Sequence, residues 1–265
     1  MPASFFAALL LSLWFGGARV SSSIHISLRY SRGETSREIR DMRTVIFDLD
    51  GTLADTSGDL LAAANFCFRQ LGHGDVLVSS DAGTALRGGR AMLTLGFERL
   101  GIDFTDADIN AQYPVLLAAY DDAIDVHTVI YPGAREAVDR LIAAGIKVGI
   151  CTNKPEGLAE KLMKSLGFRD VFGSLVGADT LPVRKPDPSP LIEAVVRAGG
   201  DPARALLVGD TATDRNTSTA AGVPSVLVTF GPGDVDVVAL KAEAYLDAFE
   251  DLDEIVERLL GKGNL

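Results

Sequence analysis

Five short apolar runs, separated by helical patterns, constrain this chain more than any other feature. The runs are Thr44–Phe47, Lys147–Cys151, Ser174–Val176, Ala205–Val208 and Ser225–Val228. Between the later ones lie stretches of helical periodicity: Gly133–Ala144, Gly157–Leu166, Ser189–Ala198 and Arg215–Ala221. Continuous apolar strands alternating with helices predict a parallel sheet covered on both faces. That is a doubly wound, Rossmann-like α/β domain, whose sites gather at the carboxyl ends of the strands. A last helical pattern, Leu252–Leu260, is predicted to pack on the outside.

One interval breaks the rhythm. From Ser57 to Val126 there is no buried strand pattern, and helices are predicted at Asp59–Leu71, Arg90–Leu100 and Thr105–Asp122. We therefore expect an α/β catalytic core of residues 43–56 and 127–265, with residues 57–126 inserted as a helical cap domain beside the strand ends. Residues 1–42 read differently. Phe5–Phe15 is an apolar run broken only by Ser12. It is too short for a bilayer span, which needs about 20 residues. Its length suits a signal-peptide core, yet no basic residue precedes it and the first is Arg19. The segment reads as an N-terminal extension outside the fold, with the working protein starting at Met42 in the cytoplasm. Export through residues 1–20 is the minority reading.

Charge narrows the partners. The chain carries 25 Lys plus Arg against 36 Asp plus Glu, a net −11. Such a surface repels phosphate backbones and anionic lipid, so neither nucleic acid nor a membrane is expected for the catalytic part. Two cysteines, Cys67 and Cys151, are too few for a disulfide framework or a four-cysteine zinc site, and they fit a reducing compartment.

Four spots carry candidate chemistry. After the first run comes Asp48-Leu49-Asp50-Gly51-Thr52. Two carboxylates two residues apart at a strand end face one crevice and raise each other's pKa unless a cation lies between them. A polar turn or a simple divalent-metal site would use the same residues. After Lys147–Cys151 comes Thr152-Asn153-Lys154-Pro155, a hydroxyl and backbone N–H groups suited to phosphate oxygens, or an ordinary turn. Lys185 in Lys185-Pro186-Asp187-Pro188 offers a point charge for an anion, or is a solvated loop lysine. After Ala205–Val208 comes Gly209-Asp210-Thr211-Ala212-Thr213-Asp214. Its two carboxylates suit a hard cation such as Mg²⁺, or serve as helix N-caps.

Taken together, these four motifs resemble the haloacid dehalogenase-like phosphatases, and among them the phosphoglycolate phosphatases, over about residues 43–260. The resemblance implies Asp48 as the nucleophile that forms an aspartyl-phosphate and Asp50 as the general acid and then base. It implies Thr152 and Asn153 as phosphate holders and Lys185 as the charge that balances nucleophile and phosphoryl group. Asp48, Asp210 and the Asp50 carbonyl are implied to bind Mg²⁺, with Asp214 ligating directly or through water. Arg215, after Asp214, departs from the apolar residue relatives often carry there, and is expected to face solvent.

Residues also choose among the relatives. Asp50 supplies the second carboxylate that haloacid dehalogenases lack. Residues 57–126 contain no Lys, which removes a Schiff-base chemistry of the phosphonoacetaldehyde hydrolase kind and weighs against a phosphoglucomutase. A phosphomonoesterase remains, and the resemblance, closest in Thr152-Asn153-Lys154-Pro155 and Thr229-Phe230-Gly231, implies a small-molecule phosphomonoester substrate, most simply 2-phosphoglycolate, handled by a monomer or homodimer. Another small sugar or organic phosphate, a phosphomutase, and a non-catalytic binding protein are the alternatives. Arg87, beside Gly88-Gly89, is the candidate to meet a substrate carboxylate, with Arg90 near it; His73 is read as a loop residue. All four motifs follow Met42. A chain beginning there is expected to fold and to match the full chain in activity, as judged by circular dichroism and phosphate release; insolubility would show that earlier residues belong to the fold.

Overall fold

The computed structural model of the protein describes residues 42–232 and 236–261. The expectations for residues 1–41 lie outside the described residues.

Six parallel strands form the sheet: β1 (Thr44–Phe47), β4 (Lys147–Cys151), β5 (Ser174–Val176), β6 (Ala205–Gly209), β7 (Ser225–Val228) and β8 (Ala244–Leu246). Their order is β5-β4-β1-β6-β7-β8, so the chain winds outward from β1 in both directions. β1 is central and wholly buried, as its unbroken apolar run requires. Five strands coincide with the predicted runs to within one residue. The sixth, β8, escaped notice because three residues behind a charged segment are too short to show a pattern. Helices α5 (Ala134–Ala143), α6 (Glu156–Ser165), α7 (Ser189–Arg197), α8 (Ala212–Ala221) and α9 (Leu252–Leu260) accompany the sheet. Ile46 and Leu207 share a cluster with Leu191 and Val195 of α7, while Phe47 and Val208 belong to a larger cluster with Val138 and Leu141 of α5. Successive strand residues thus bury opposite faces under different helices.

The inserted stretch is helical, as its periodicity predicts. It holds α1 (Ser57–Gln70), α3 (Gly89–Leu100) and α4 (Asp106–Asp122), plus a four-residue α2 (Ala82–Ala85). Phe68 of α1 meets Phe97 of α3 edge-on at 5.4 Å, and Phe97 stacks on Phe104 at 5.3 Å. Asn65 pins the loop beyond α1, accepting from the Val76 and Leu77 amides and donating to the Leu77 carbonyl. Asp81 holds both terminal nitrogens of Arg99, at 2.6 and 2.7 Å.

The insert leaves and rejoins the sheet through an antiparallel ribbon, β2 (Ala54–Asp55) and β3 (Val129–Ile130). Asp59, at the start of α1 and 2% exposed, accepts from the His127 and Thr128 amides and the Thr128 hydroxyl, all within 3.0 Å. One buried carboxylate thereby ties the first turn of the insert to its exit strand. Removing it strands two backbone donors, each costing about 1–3 kcal/mol. Asp59→Ala is therefore expected to lose about 2–4 kcal/mol of stability, read by chemical denaturation; a loss below half a kilocalorie would mean that water satisfies those amides equally well.

Candidate active site

The strand register dictates which residues meet. Phe47 is level with Ile150 on β4 and Val208 on β6. The residues just past these three strand ends therefore emerge side by side: Asp48, Thr152 and Asp210. The Asp48 amide donates to the Val208 carbonyl at 2.8 Å, extending the sheet by one bond before the chain turns. Asp48 and Asp214 are buried and Asp210 half-buried. One carboxylate oxygen from each lies within 4.8 Å of the others, a spacing that fits a metal ion.

Two glycines let the backbones come this close. Gly51 has φ +83°, and a Cβ there would lie 2.4 Å from Asp210 Oδ2. At Gly209 a Cβ would lie 2.4 Å from Asp214 Cβ. No side chain fits either place while the carboxylates stay together.

Lys185 fills the position between two of the acids. Its ammonium is 2.6 Å from Asp214 Oδ1 and 3.0 Å from Asp48 Oδ1, and its side chain is 2% exposed. The motif Lys185-Pro186-Asp187-Pro188 is thus no solvated loop: it carries the lysine inward to the strand ends. Burial works against the Lys185 charge, but Asp214 and Asp48 outweigh it and hold the ammonium above the usual lysine range. Burial pushes the Asp48 carboxyl up to about 6, opposed by Lys185 and reinforced by the charges of Asp214 and Asp50. Burial, then Asp214 and Asp48, raise Asp210 well above the carboxylate range. One lysine among three acids leaves unbalanced negative charge, and a bound cation is the physical remedy.

Asp214 has a double role. It sits at the third position of α8, and its Oδ2 accepts from the Thr211 hydroxyl at 2.6 Å and from the Thr211 amide at 3.1 Å. This is a capping box whose N-cap is Thr211, so Asp214 serves the helix start as the box's third residue and not as the N-cap itself. Its other oxygen still anchors Lys185. Thr52 donates to Asp210 Oδ1 at 3.3 Å.

The remaining sequence-selected residues divide. Thr152 is buried, its hydroxyl accepting from the Lys154 amide at 3.1 Å. Asn153 donates through Nδ2 to the Lys185 carbonyl at 3.0 Å, so its side chain braces the lysine loop. Arg87 is exposed and lines a small pocket of about 50 Å³ together with Asp210, Thr211, Thr229 and Gly231. Arg90 is elsewhere, paired with Asn110 and stacked over the Tyr113 ring. His73 lies exposed in its loop. Cys151 is a buried free thiol that burial pushes up to about 12. Arg215 does not simply face solvent: it is half-buried and pairs with Glu243 at 2.8 Å. Its partner lies 28 residues away, on the segment leading to β8, which no local pattern announces.

Sequence reasoning missed Lys154. It stands inside the Thr152-Asn153-Lys154 motif, yet a lysine in a turn reads as a surface residue. Here it is buried, with Nζ 2.7 Å from Asp50 Oδ1 and 4.4 Å from the centre of the Tyr120 ring. Burial works against its charge, but Asp50 and Tyr120 together outweigh burial and hold it above the usual lysine range.

Similarity to known proteins places the chain in a family. Residues 45–228 match the family model described as haloacid dehalogenase-like hydrolase. The chain is 35% identical to a phosphoglycolate phosphatase of Agrobacterium fabrum over 230 residues, covering 86% of this chain and 98% of that one. It is 38% identical to a phosphoglycolate phosphatase of Mesorhizobium japonicum over 220 residues, covering 82% and 96%. Among solved structures, one from Haemophilus somnus, described as a predicted phosphoglycolate phosphatase, superposes with a TM-score of 0.71 at 23% identity, covering 82% of this chain and 99% of that one. Motifs, register and whole-length similarity agree, and the chain belongs to the haloacid dehalogenase-like hydrolases.

Proposed function

We propose that this chain hydrolyses 2-phosphoglycolate to glycolate and phosphate through an aspartyl-phosphate on Asp48. That it is a phosphoric monoester hydrolase follows from its family and from phosphatase relatives matched over nearly their whole length. The observation that carries the reading is the cluster of Asp48, Asp210 and Asp214 at the strand ends, with the buried Lys185 paired to Asp48 and Asp214.

A carboxylate oxygen of Asp48 attacks phosphorus, and the bond to the glycolate oxygen breaks. Asp50 gives that oxygen a proton. Thr152, the Asn153 backbone and Lys185 hold the phosphoryl oxygens. Asp50, now a carboxylate, takes a proton from water as the water oxygen attacks phosphorus, freeing phosphate and restoring Asp48. Asp48, Asp210 and the Asp50 carbonyl would hold Mg²⁺. Both oxygens of Asp214 are engaged by Lys185 and Thr211, which supports its acting through a water. When bound, the cation supplies the counter-charge that lets a phosphate dianion enter so acidic a pocket.

For the substrate, Arg87 is proposed to meet the carboxylate. Its place beside Asp210 in a small pocket supports a short substrate. Residues 57–126 are proposed to act as a cap over this crevice. Among the described residues no helix is long and apolar enough to cross a membrane.

Two tests follow. Chelation with EDTA should abolish phosphate release and Mg²⁺ should restore it. Asp210→Ala should cut activity with partial recovery at high Mg²⁺, and full activity in metal-free protein would end the proposal. Asp50→Asn separates acid from nucleophile. General acid–base groups contribute about 10²- to 10⁴-fold, and Asp50 serves both half-reactions. The alkyl ester should therefore slow by at least that much. An aryl ester, whose phenolate leaves unaided, should give a burst of phenolate followed by slow turnover. Equal slowing of both esters without a burst would assign Asp50 to metal binding or structure.

A further inference from the structure

Lys154 joins three distant pieces of chain. It follows β4, its salt-bridge partner Asp50 follows β1, and Tyr120 belongs to α4 of the helical insert. Its side chain is 4% exposed, and lysine is almost never buried so deeply without a partner. Thr56, at the entrance to α1, donates to the same Asp50 oxygen at 2.6 Å. Both contacts thus fall on Oδ1, while among the described residues Oδ2 takes no hydrogen bond. A carboxylate fixed through one oxygen keeps the other at a constant place for proton exchange. A phosphate-binding role fits Lys154 less well, because its ammonium is already engaged by Asp50 and the aromatic ring. Lys185 is the cation nearest the nucleophile, 3.0 Å from Asp48.

We propose that Lys154 is a positioning residue for Asp50, and that Tyr120 holds the Lys154 ammonium in place from the helical insert. The seating of the insert then contributes directly to the orientation of the acid/base carboxylate. The proposal rests on the reading of Asp50 as acid and base given above.

A double-mutant cycle tests it, with 2-phosphoglycolate as alkyl ester and p-nitrophenyl phosphate as aryl ester. Displacing a reacting group by ~1 Å costs about 100-fold in rate. Lys154→Met should therefore lower kcat for the alkyl ester by about that factor and leave KM within about threefold, because positioning rather than binding is lost. Lys154→Arg should recover part of the rate. In an Asp50→Asn background, Lys154→Met should add no further loss, since there is no longer an acid to place. Tyr120→Leu should lower kcat by roughly tenfold, whereas Tyr120→Phe, which keeps the ring over the ammonium, should match the wild type.

A raised KM with kcat intact, additive losses in the Asp50→Asn background, or equal effects of Leu and Phe at position 120 would each overturn the proposal. If Lys154→Met fails to fold, the Asp50→Asn/Lys154→Met protein, which removes both charges at once, and the Tyr120 pair decide the matter. The two readings fail separately. Unchanged alkyl-ester turnover in Asp50→Asn would remove the acid/base role itself. A slow Asp50→Asn beside a fully active Lys154→Met would remove only the role given to Lys154.

Discussion

Three carboxylates and one ammonium share the ends of adjacent parallel strands, and much of the structure is arranged to allow it. Transferring a carboxylate or an ammonium out of water costs several kcal/mol even after the protein relaxes. The salt bridges of Lys185 to Asp48 and Asp214 offset part of that cost. They do not neutralise the group, and Asp48 is still pushed up to about 6, chiefly by burial. This residual charge suits the site to a cation, and the three carboxylates are spaced to hold one. The same demand explains Gly51 and Gly209, where any side chain would occupy the space of a carboxylate. It also explains the capping box at Thr211. There the helix terminus takes one oxygen of Asp214, so that the other faces Lys185.

A second polar layer connects this cluster with the helical insert. Asp50 is bound by Thr56 at the entrance to α1 and by Lys154, which in turn lies against Tyr120 of α4. Asp59 fastens the first turn of the insert to its exit at His127 and Thr128. Entry and exit therefore lie together on a two-residue ribbon that continues from the turn after β1. A segment attached in this way has its attachment points beside the proposed acid/base. The seating of the insert and the orientation of Asp50 then share one set of contacts. The hydrophobic cluster of the insert is continuous with one face of the sheet, which adds a packing constraint to the polar one.

Local patterning, by itself, determined the architecture: strands β1, β4, β5, β6 and β7, the helices between them, and a helical insert after the first strand. Those features rest on periodicity and on glycine and proline punctuation, which act over a few residues and are visible in a single chain. It also determined which residue types stand at strand ends, and so the identity of Asp48, Asp50, Thr152, Lys185, Asp210 and Asp214 as candidates. What only the tertiary structure decided is who touches whom. Lys154 reads as a surface lysine until packing buries it between Asp50 and Tyr120, residues 104 and 34 positions away. Arg215 looks solvent-facing until Glu243 arrives from the segment before β8. Asn153 turns out to brace the Lys185 loop through its side chain. The physical reason is the same in each case. A charge or hydrogen bond between residues far apart in sequence leaves no periodic mark, because its energy depends on distance and burial that exist only after the sheet has assembled.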